Sequence, residues 1–373
     1  MSRNEIYMGL MSGTSLDGID AALVEFDHPA GNHSPVVLAV HYQPYPGDLR
    51  RRLQSLCFAE RVDMLEYGEL DGLLGQCLAQ AAHDLIEMAG IDRQQIRAIG
   101  SHGQTVYHHP QGNLPFTLQM GDPNRITEMT GITTIADFRR RDVAAGGQGA
   151  PLTPAFHQAV FGSDRESRVI VNIGGIANLT CLPAGSADSV LGFDAGPGNT
   201  LLDLWARQHL DQAYDLNGEW GGAGQASTVL VDRMLSDPYF ARRPPKSTGQ
   251  EYFSARWLAS HRVDHALSPV DVQASLLDLT ARSITDSIGT IQPGTERVLL
   301  CGGGVHNLAL VQRIRRYLSC PVETTAVLGV DPDWVEAVAF AWLAQQTLAG
   351  LPGNLPAVTG ASRRVVLGAI YPA

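Results

Sequence analysis

The sequence predicts a two-lobed α/β protein built from a diverged duplication, and three observations carry that prediction. The chain has 373 residues, 44% hydrophobic and 17% charged, which is enough for two packed domains and unlike a disordered chain. Strand-like apolar runs alternate with helical periodicity along its length. Each half opens in the same way, with a strand, a turn of small residues and a returning strand, before helices take over.

In the first half, apolar runs predict strands over residues 6–11, 19–26 and 36–41. Leu65, Leu70, Leu74, Leu78 and Leu85 recur at helical spacings and predict a helix over 64–88, followed by short strands over 96–101 and 133–136. The second half begins with a strand over 168–173, turns at Gly174-Gly175, returns over 176–181 and adds a strand over 189–193 that ends at Asp194. Helical patterns cover 200–210, 227–235, 271–288, 307–318 and 333–348, broken by a strand over 297–301. A Pro/Gly-rich stretch lies at 350–356. The division expected from this pattern is 1–135 plus 350–373 for an N-terminal lobe and 136–349 for a C-terminal lobe. Gly146-Gly147-Gln148-Gly149-Ala150-Pro151 is the expected mobile connection, with Gly146–Gly149 the candidate hinge and a static loop the competing reading.

Composition excludes several classes. The formal charge of −11 disfavours nonspecific nucleic-acid binding, which needs a basic surface to displace counterions. No run approaches the ~18–20 apolar residues of a membrane span, and Met1-Ser2-Arg3-Asn4-Glu5 lacks the apolar core of a signal peptide, so the expected compartment is the cytoplasm. Cys57, Cys77, Cys181, Cys301 and Cys320 are odd in number and never in C-x-x-C spacing, which argues for buried thiols. Lys246 is the single lysine and sits in a loop-like stretch, which excludes a P-loop lysine.

Chemistry concentrates in a few turns. Met8-Gly9-Leu10-Met11-Ser12-Gly13-Thr14-Ser15-Leu16-Asp17-Gly18-Ile19-Asp20 joins two strands through glycines, hydroxyls and a carboxylate, a turn able to press N–H groups against a phosphate. A strand rather than a helix follows it, so this is a phosphate hairpin and not a Walker loop. Asn172-Ile173-Gly174-Gly175 is a second hairpin and the candidate opposite jaw, with a plain type I′ turn as the competing reading. Asp194, ahead of Ala195-Gly196-Pro197-Gly198-Asn199 and a helix, is the candidate catalytic carboxylate, with helix capping as the alternative. Gly302-Gly303-Gly304 with Asn307 fits a flat adenosine against backbone, but fails the G-x-G-x-x-G pattern. Ser101, His102 and Gln104, with the Arg139-Arg140-Arg141 run, concentrate polar groups beside strands, and Arg140 and Arg141 are the candidates to grip an acidic sugar. His108-His109 reads as a loop pair and not a metal site.

Two hairpin jaws, a carboxylate and a triglycine turn resemble the actin/hexokinase-like ATPase fold, with duplicated ribonuclease-H-like domains and an interlobe active-site cleft. Within that superfamily, residues 9–20 are similar to the opening signature of the anhydro-N-acetylmuramic acid kinase family. Ser101-His102-Gly103-Gln104-Thr105, Ala136-Asp137-Phe138-Arg139, residues 147–151, 172–178, 193–199 and 301–307 resemble that family in its order, with Ala195 departing from an expected Thr. The resemblance implies ATP-dependent conversion of 1,6-anhydro-N-acetylmuramate and water into N-acetylmuramate 6-phosphate and ADP, in peptidoglycan recycling. It implies Asp194 as general base. It also implies ATP contacts at residues 13–20 (Gly13, Thr14, Ser15, Leu16, Asp17, Gly18, Ile19, Asp20), Asn172, Gly174, Gly175, Gly302, Gly303, Gly304 and Asn307. Asp17 is the candidate Mg²⁺ ligand. Substrate contacts are expected at Ser101, His102, Gln104, Arg140, Arg141, Gly196, Asn199 and Glu336, in a homodimer. A kinase of an ordinary sugar hydroxyl and a non-catalytic ATP-driven clamp are the competing readings.

Overall fold

The computed structural model describes residues 4–13, 16–27, 35–57, 59, 61–186, 189–261 and 266–373. Two compact units form: Met1–Val160 with Leu328–Val330 and Trp334–Ala373, and Phe161–Val327 with Asp331–Asp333. This differs from the expected division at three places, 136–160, Leu328–Val330 and 334–349, and packing explains the two longer ones. The helix Val335–Leu348 belongs to the first unit because it lies on that unit's sheet, and residues 136–160 stay with the strand Thr134–Ala136 that precedes them.

The first sheet contains β1 (Glu5–Met11), β2 (Gly18–Phe26), β3 (Val36–Pro44), β4 (Ile96–Ser101), β7 (Thr134–Ala136) and β13 (Ala369–Tyr371), in the order β13-β7-β4-β1-β2-β3. The pair β5 (Gln104–His109) and β6 (Phe116–Met120) stands apart as a separate hairpin. In the second unit, β8 (Arg168–Ile173), β9 (Ile176–Leu182), β10 (Leu191–Pro197), β11 (Arg297–Cys301) and β12 (Val322–Thr324) follow the order β10-β9-β8-β11-β12. The duplication is explicit in the pairing. β1/β2 and β8/β9 are antiparallel hairpins, β3 and β10 extend them antiparallel, and β4 and β11 return parallel to the first strand of each unit. All the parallel strands of a sheet therefore end on one edge, where the loops collect.

The helix Met64–Ala89 forms where leucine spacing predicts it. Asp63 caps its start, accepting from Leu65 N at 2.8 Å and Glu66 N at 3.2 Å, and Gly90 at φ 63° ends it. Leu70, Leu74, Leu78 and Leu85 are buried at i, i+4 and i+7 spacings against the sheet. In the second unit the helix Pro269–Ile291 buries Val272, Leu276, Leu279 and Ile284 in a core with Val171, Phe193 and Leu300.

The helix Val335–Leu348 sits unusually close to its sheet. Gly9 and Gly100 are register partners in β1 and β4, and a Cβ on either would overlap backbone carbonyl oxygens of that helix, at Ala337 and Phe340 respectively. Ala337, Ala341 and Ala344 supply the matching small surface.

The glycine-rich segment 146–149 is not a loose connection. Gly147 N donates to Asp142 O at 2.9 Å, Gly149 N to the buried Asp142 carboxylate at 2.7 Å, and Gln148 N to Thr359 O at 2.8 Å. Asn354 Nδ2 and Thr359 Oγ1 complete the Asp142 shell at 2.6 and 2.8 Å. The segment expected to be a hinge is thus pinned inside the first unit, because a buried carboxylate must collect donors and these backbone amides supply one of them.

Gly100→Ala should destabilise the protein by roughly 1–3 kcal/mol or more in urea unfolding, since the added methyl must push two backbones apart. Gly68→Ala, on the helix Met64–Ala89 with nothing within 4 Å of the new methyl, should instead gain about 0.5–1 kcal/mol. Equal effects at the two sites would contradict the close helix packing.

Candidate functional site

The loop edge of the first sheet is organised by a buried polar chain. Tyr45 OH donates to Ser12 Oγ at 2.6 Å, and Ser12 Oγ donates in turn to Gln104 Oε1. Ser101, His102 and Gln104 are all buried. His102 N donates to Leu10 O at 2.9 Å, joining the end of β4 to the end of β1. The imidazole spans two partners, with Nδ1 3.2 Å from Ser12 O and Nε2 3.0 to 3.1 Å from the Arg139 guanidinium. A guanidinium only donates, so Nε2 accepts and Nδ1 carries the proton. Burial, with the neighbouring Arg139 charge, pushes the His102 pKa down to about 3.

Arg139 is the arginine that this edge holds. Its Nη1 donates to Gly149 O at 2.8 Å, so the loop anchored by Asp142 also aims the guanidinium. Burial lowers its pKa to about 10, opposed by the charges of Glu336 and Asp142. Glu336 lies in the first turn of the helix Val335–Leu348, and burial raises its pKa while Arg139 opposes the rise. Arg140 instead pairs with Asp137 at 2.8 Å on the surface, and Arg141 is exposed. The sequence marked the run of three arginines; only the helical turn after Asp137 decides that the first of them points toward His102.

Around the first hairpin, Thr14 and Ser15 lie outside the described residues. Leu16 is buried with φ 54°, and Leu16 N donates to Gly13 O at 3.3 Å. Ile19 is also buried, so Leu16 and Ile19 offer a ligand backbone rather than side chains. Asp17 is exposed at the tip, its carbonyl holding Tyr45 N at 3.0 Å, and Asp20 lies within β2 opposite Met11. Gly18 begins β2 with no room for a side chain, since a Cβ would stand 2.5 Å from Gln43 O.

In the second unit, β10 runs through Asp194 to Pro197 and does not end before it. Asp194 pairs across from Asn178, and a register slip between Asp194 and Gly196 bends the strand there. Edge position lets Pro197 remain in the strand, which is why the element outlasts the expected boundary. Asn178 Nδ2 donates to Asp194 Oδ1, and Thr248 N donates to Oδ2 at 2.9 Å. Burial raises the Asp194 pKa above the usual carboxylate value, and these two donors with the Lys246 charge oppose the rise. Asp194 does not cap the following helix; Asn199 occupies the N-cap.

The turn at Gly174-Gly175 is tied to the head of the helix Thr200–Leu210. Asn199 N donates to Gly174 O at 2.8 Å, while Gly198 N, Thr200 N and Thr200 Oγ1 reach Gly175 O at 2.9, 3.1 and 2.7 Å. Asn199 Nδ2 reaches Ile173 O at 3.3 Å. Gly196 packs so closely that a Cβ would stand 2.8 Å from the Phe240 ring. At the end of β11, Gly302 has φ 77° and its Cα faces the Asn172 side chain, where a Cβ would collide with Asn172 Oδ1. Gly304 rests on Ile173, and Gly303 is open. Asn307 caps the helix Leu308–Tyr317, its Oδ1 accepting Leu310 N at 3.0 Å. The second sheet edge thus gathers Asn172, Gly174, Asp194 and Gly302, as the strand directions require.

Two copies of one five-strand order, each opened by a hairpin whose loop edge carries the polar groups, define a duplicated ribonuclease-H-like fold of the actin/hexokinase-like kind. The chain belongs to the anhydro-N-acetylmuramic acid kinase family, whose family model matches residues 5–373. It is 49% identical over 370 residues to the anhydro-N-acetylmuramic acid kinase of Coxiella burnetii, covering 98% of this chain and 97% of that protein. The Xanthomonas campestris kinase of that name is 51% identical over 376 residues, covering 100% and 98%. The Shewanella pealeana kinase is 50% identical over 372 residues, covering 99% of each.

Nitrogen-15 NMR should show the His102 ring neutral, with the proton on Nδ1, from about pH 8 to about pH 4. A midpoint close to the ordinary histidine value would contradict the burial of the ring beside Arg139.

Proposed function

We propose that this chain phosphorylates 1,6-anhydro-N-acetylmuramate with ATP and water, giving N-acetylmuramate 6-phosphate and ADP in peptidoglycan recycling. Family membership carries the kinase activity, and the observation that supports its mechanism is the Asp194 carboxylate. It is half-buried, fixed by Asn178 and Thr248, and more basic than an exposed aspartate. That combination suits a general base, which needs a fixed lone pair and enough proton affinity to use it.

The substrate's internal bridge leaves O6 without a hydroxyl to phosphorylate. In this reading Asp194 takes a proton from water as the water oxygen bonds to C1. The C1–O6 bond breaks, and its electron pair leaves with O6, which attacks the γ-phosphorus of ATP as ADP departs. The hairpin glycines let backbone N–H groups approach the triphosphate, and Gly302 to Gly304 offer a bare surface to adenosine. Arg139 rather than Arg140 or Arg141 is the residue we assign to the sugar's carboxylate, with Glu336 and His102 beside it. Mg²⁺ neutralises triphosphate charge when bound. It commonly takes one or two carboxylates plus phosphate oxygens and water, and the exposed Asp17 at the first hairpin suits that demand. Among the described residues no three His, Cys, Asp or Glu side chains group into a protein-only metal cage. We place the enzyme in the cytoplasm as a homodimer; among the described residues no helix is long and apolar enough to cross a membrane.

With oxygen-18 water, ATP and the anhydro sugar, the label should appear at C1 of the phosphorylated product. Label-free phosphorylated sugar would indicate a kinase of an ordinary hydroxyl, and no sugar product at all a non-catalytic clamp. Asp194→Asn keeps shape without basicity and should lower kcat by about 10²–10⁴-fold with ATP affinity retained. For the second hairpin, a Cβ at Gly174 meets nothing nearer than Ile176 O at 3.7 Å. Gly174→Val should therefore fold normally yet bind ATP more weakly by calorimetry, and unchanged affinity would remove Gly174 from the phosphate site.

A further inference from the structure

The loop that carries the only lysine of the chain wraps the Asp194 carboxylate, and the reaction above makes no use of that lysine. Asp194 N donates to Lys246 O at 3.2 Å, and Thr248 N, two residues on, donates to Asp194 Oδ2 at 2.9 Å. The loop therefore grips Asp194 by backbone and side chain at once. The ammonium of Lys246 lies 4.9 Å from the Tyr239 ring centroid and 5.8 Å from that of Phe193, the residue before Asp194. Tyr239 is itself tied to Asp194, its hydroxyl donating to Asp194 O at 2.8 Å. Aromatic faces hold a cation in place but do not neutralise it.

The charged and titratable groups around the pair are few. Arg242 stands 5.7 Å from the Tyr239 ring, and its charge opposes that of Lys246. Burial and the Asp194 charge keep the Tyr239 phenol protonated. Tyr252 is occupied with Asp237, at 2.8 Å, and the Asn178 amide is neutral. Asp194 is the carboxylate whose field acts on Lys246, and among the described residues the hydrogen-bond donors on its two oxygens are Asn178 and Thr248, not the Lys246 ammonium. The charge thus reaches Asp194 without occupying the oxygens that a base needs.

We propose that Lys246 is a positioning residue for Asp194: the ring-held ammonium keeps the half-buried carboxylate ionised, while the lysine's own loop aims it. The proposal rests on the reading of Asp194 as the base. Burial alone drives a carboxylate toward its neutral, useless form, and an unquenched positive charge nearby opposes this without removing basicity. A base works ionised, so kcat/KM falls as pH drops through the Asp194 pKa, and loss of the lysine charge must raise that pKa and move the acid limb to higher pH.

The test compares Lys246→Met and Lys246→Arg in the full chain, following the Asp194 carboxyl by carbon-13 NMR and kcat/KM against pH. Lys246→Met should move both the titration and the acid limb up by about one pH unit, and Lys246→Arg should return both. An unmoved Asp194 titration in folded Lys246→Met overturns the proposal. So does a raised KM for the anhydro sugar with an unmoved limb, which would make Lys246 a substrate contact. A moved titration with an unmoved limb supports the coupling and removes Asp194 from the base role instead. Should Lys246→Met not fold, Lys246→Gln carries the same comparison.

Discussion

The close contact between the helix Val335–Leu348 and the centre of the first sheet is the constraint on which the first unit depends. β1 and β4 give up side chains at Gly9 and Gly100, in register, and the helix answers with alanines. Backbone can then approach backbone, and the helix is held at one height over the sheet. Glu336 in its first turn, and Phe340, whose ring packs tilted against His102 with centroids 4.8 Å apart, inherit their positions from that contact. A bulkier residue at either glycine would shift the helix and with it the polar cluster.

A chain of buried polar groups transmits the same order outward. Asp142 fixes Gly149, Gly149 fixes Arg139, Arg139 fixes the His102 tautomer, and His102 joins the backbone of Ser12. Each link satisfies a group that would be costly to leave bare in a low-dielectric interior, so few alternative arrangements remain. The second unit shares the strand order but solves the problem differently. It holds its carboxylate between a cross-strand asparagine and a loop amide, beside a cation resting on aromatic rings. One fold, used twice, thus carries a neutral histidine with an arginine in one copy and a basic aspartate in the other.

Strand and helix identities were legible because their causes are local. Leucine spacing and Asp63 defined the helix Met64–Ala89, and apolar runs bounded by glycine defined β1, β2, β8 and β9. Elements made by distant partners were not legible: β13 pairs with β7 from the far end of the chain, and the hairpin of β5 and β6 has too little alternation to declare itself. Asp194, the glycine turns and the His102 segment were visible as residue types in sequence. Their environments were not, since neither Thr248 nor Lys246 is near Asp194 in the chain.

By itself, then, the sequence determined the α/β class, the duplicated opening, the glycine-rich turns, the candidate carboxylate and the family, all of which rest on neighbouring residues or short motifs. Only the tertiary structure decided that Arg139 faces His102, that residues 146–149 are pinned rather than hinged, and that the helix Val335–Leu348 belongs to the first unit. It also decided that the loop carrying the lone lysine closes on Asp194. Those outcomes depend on which groups burial forces together across long stretches of chain, and a one-dimensional pattern carries no record of that.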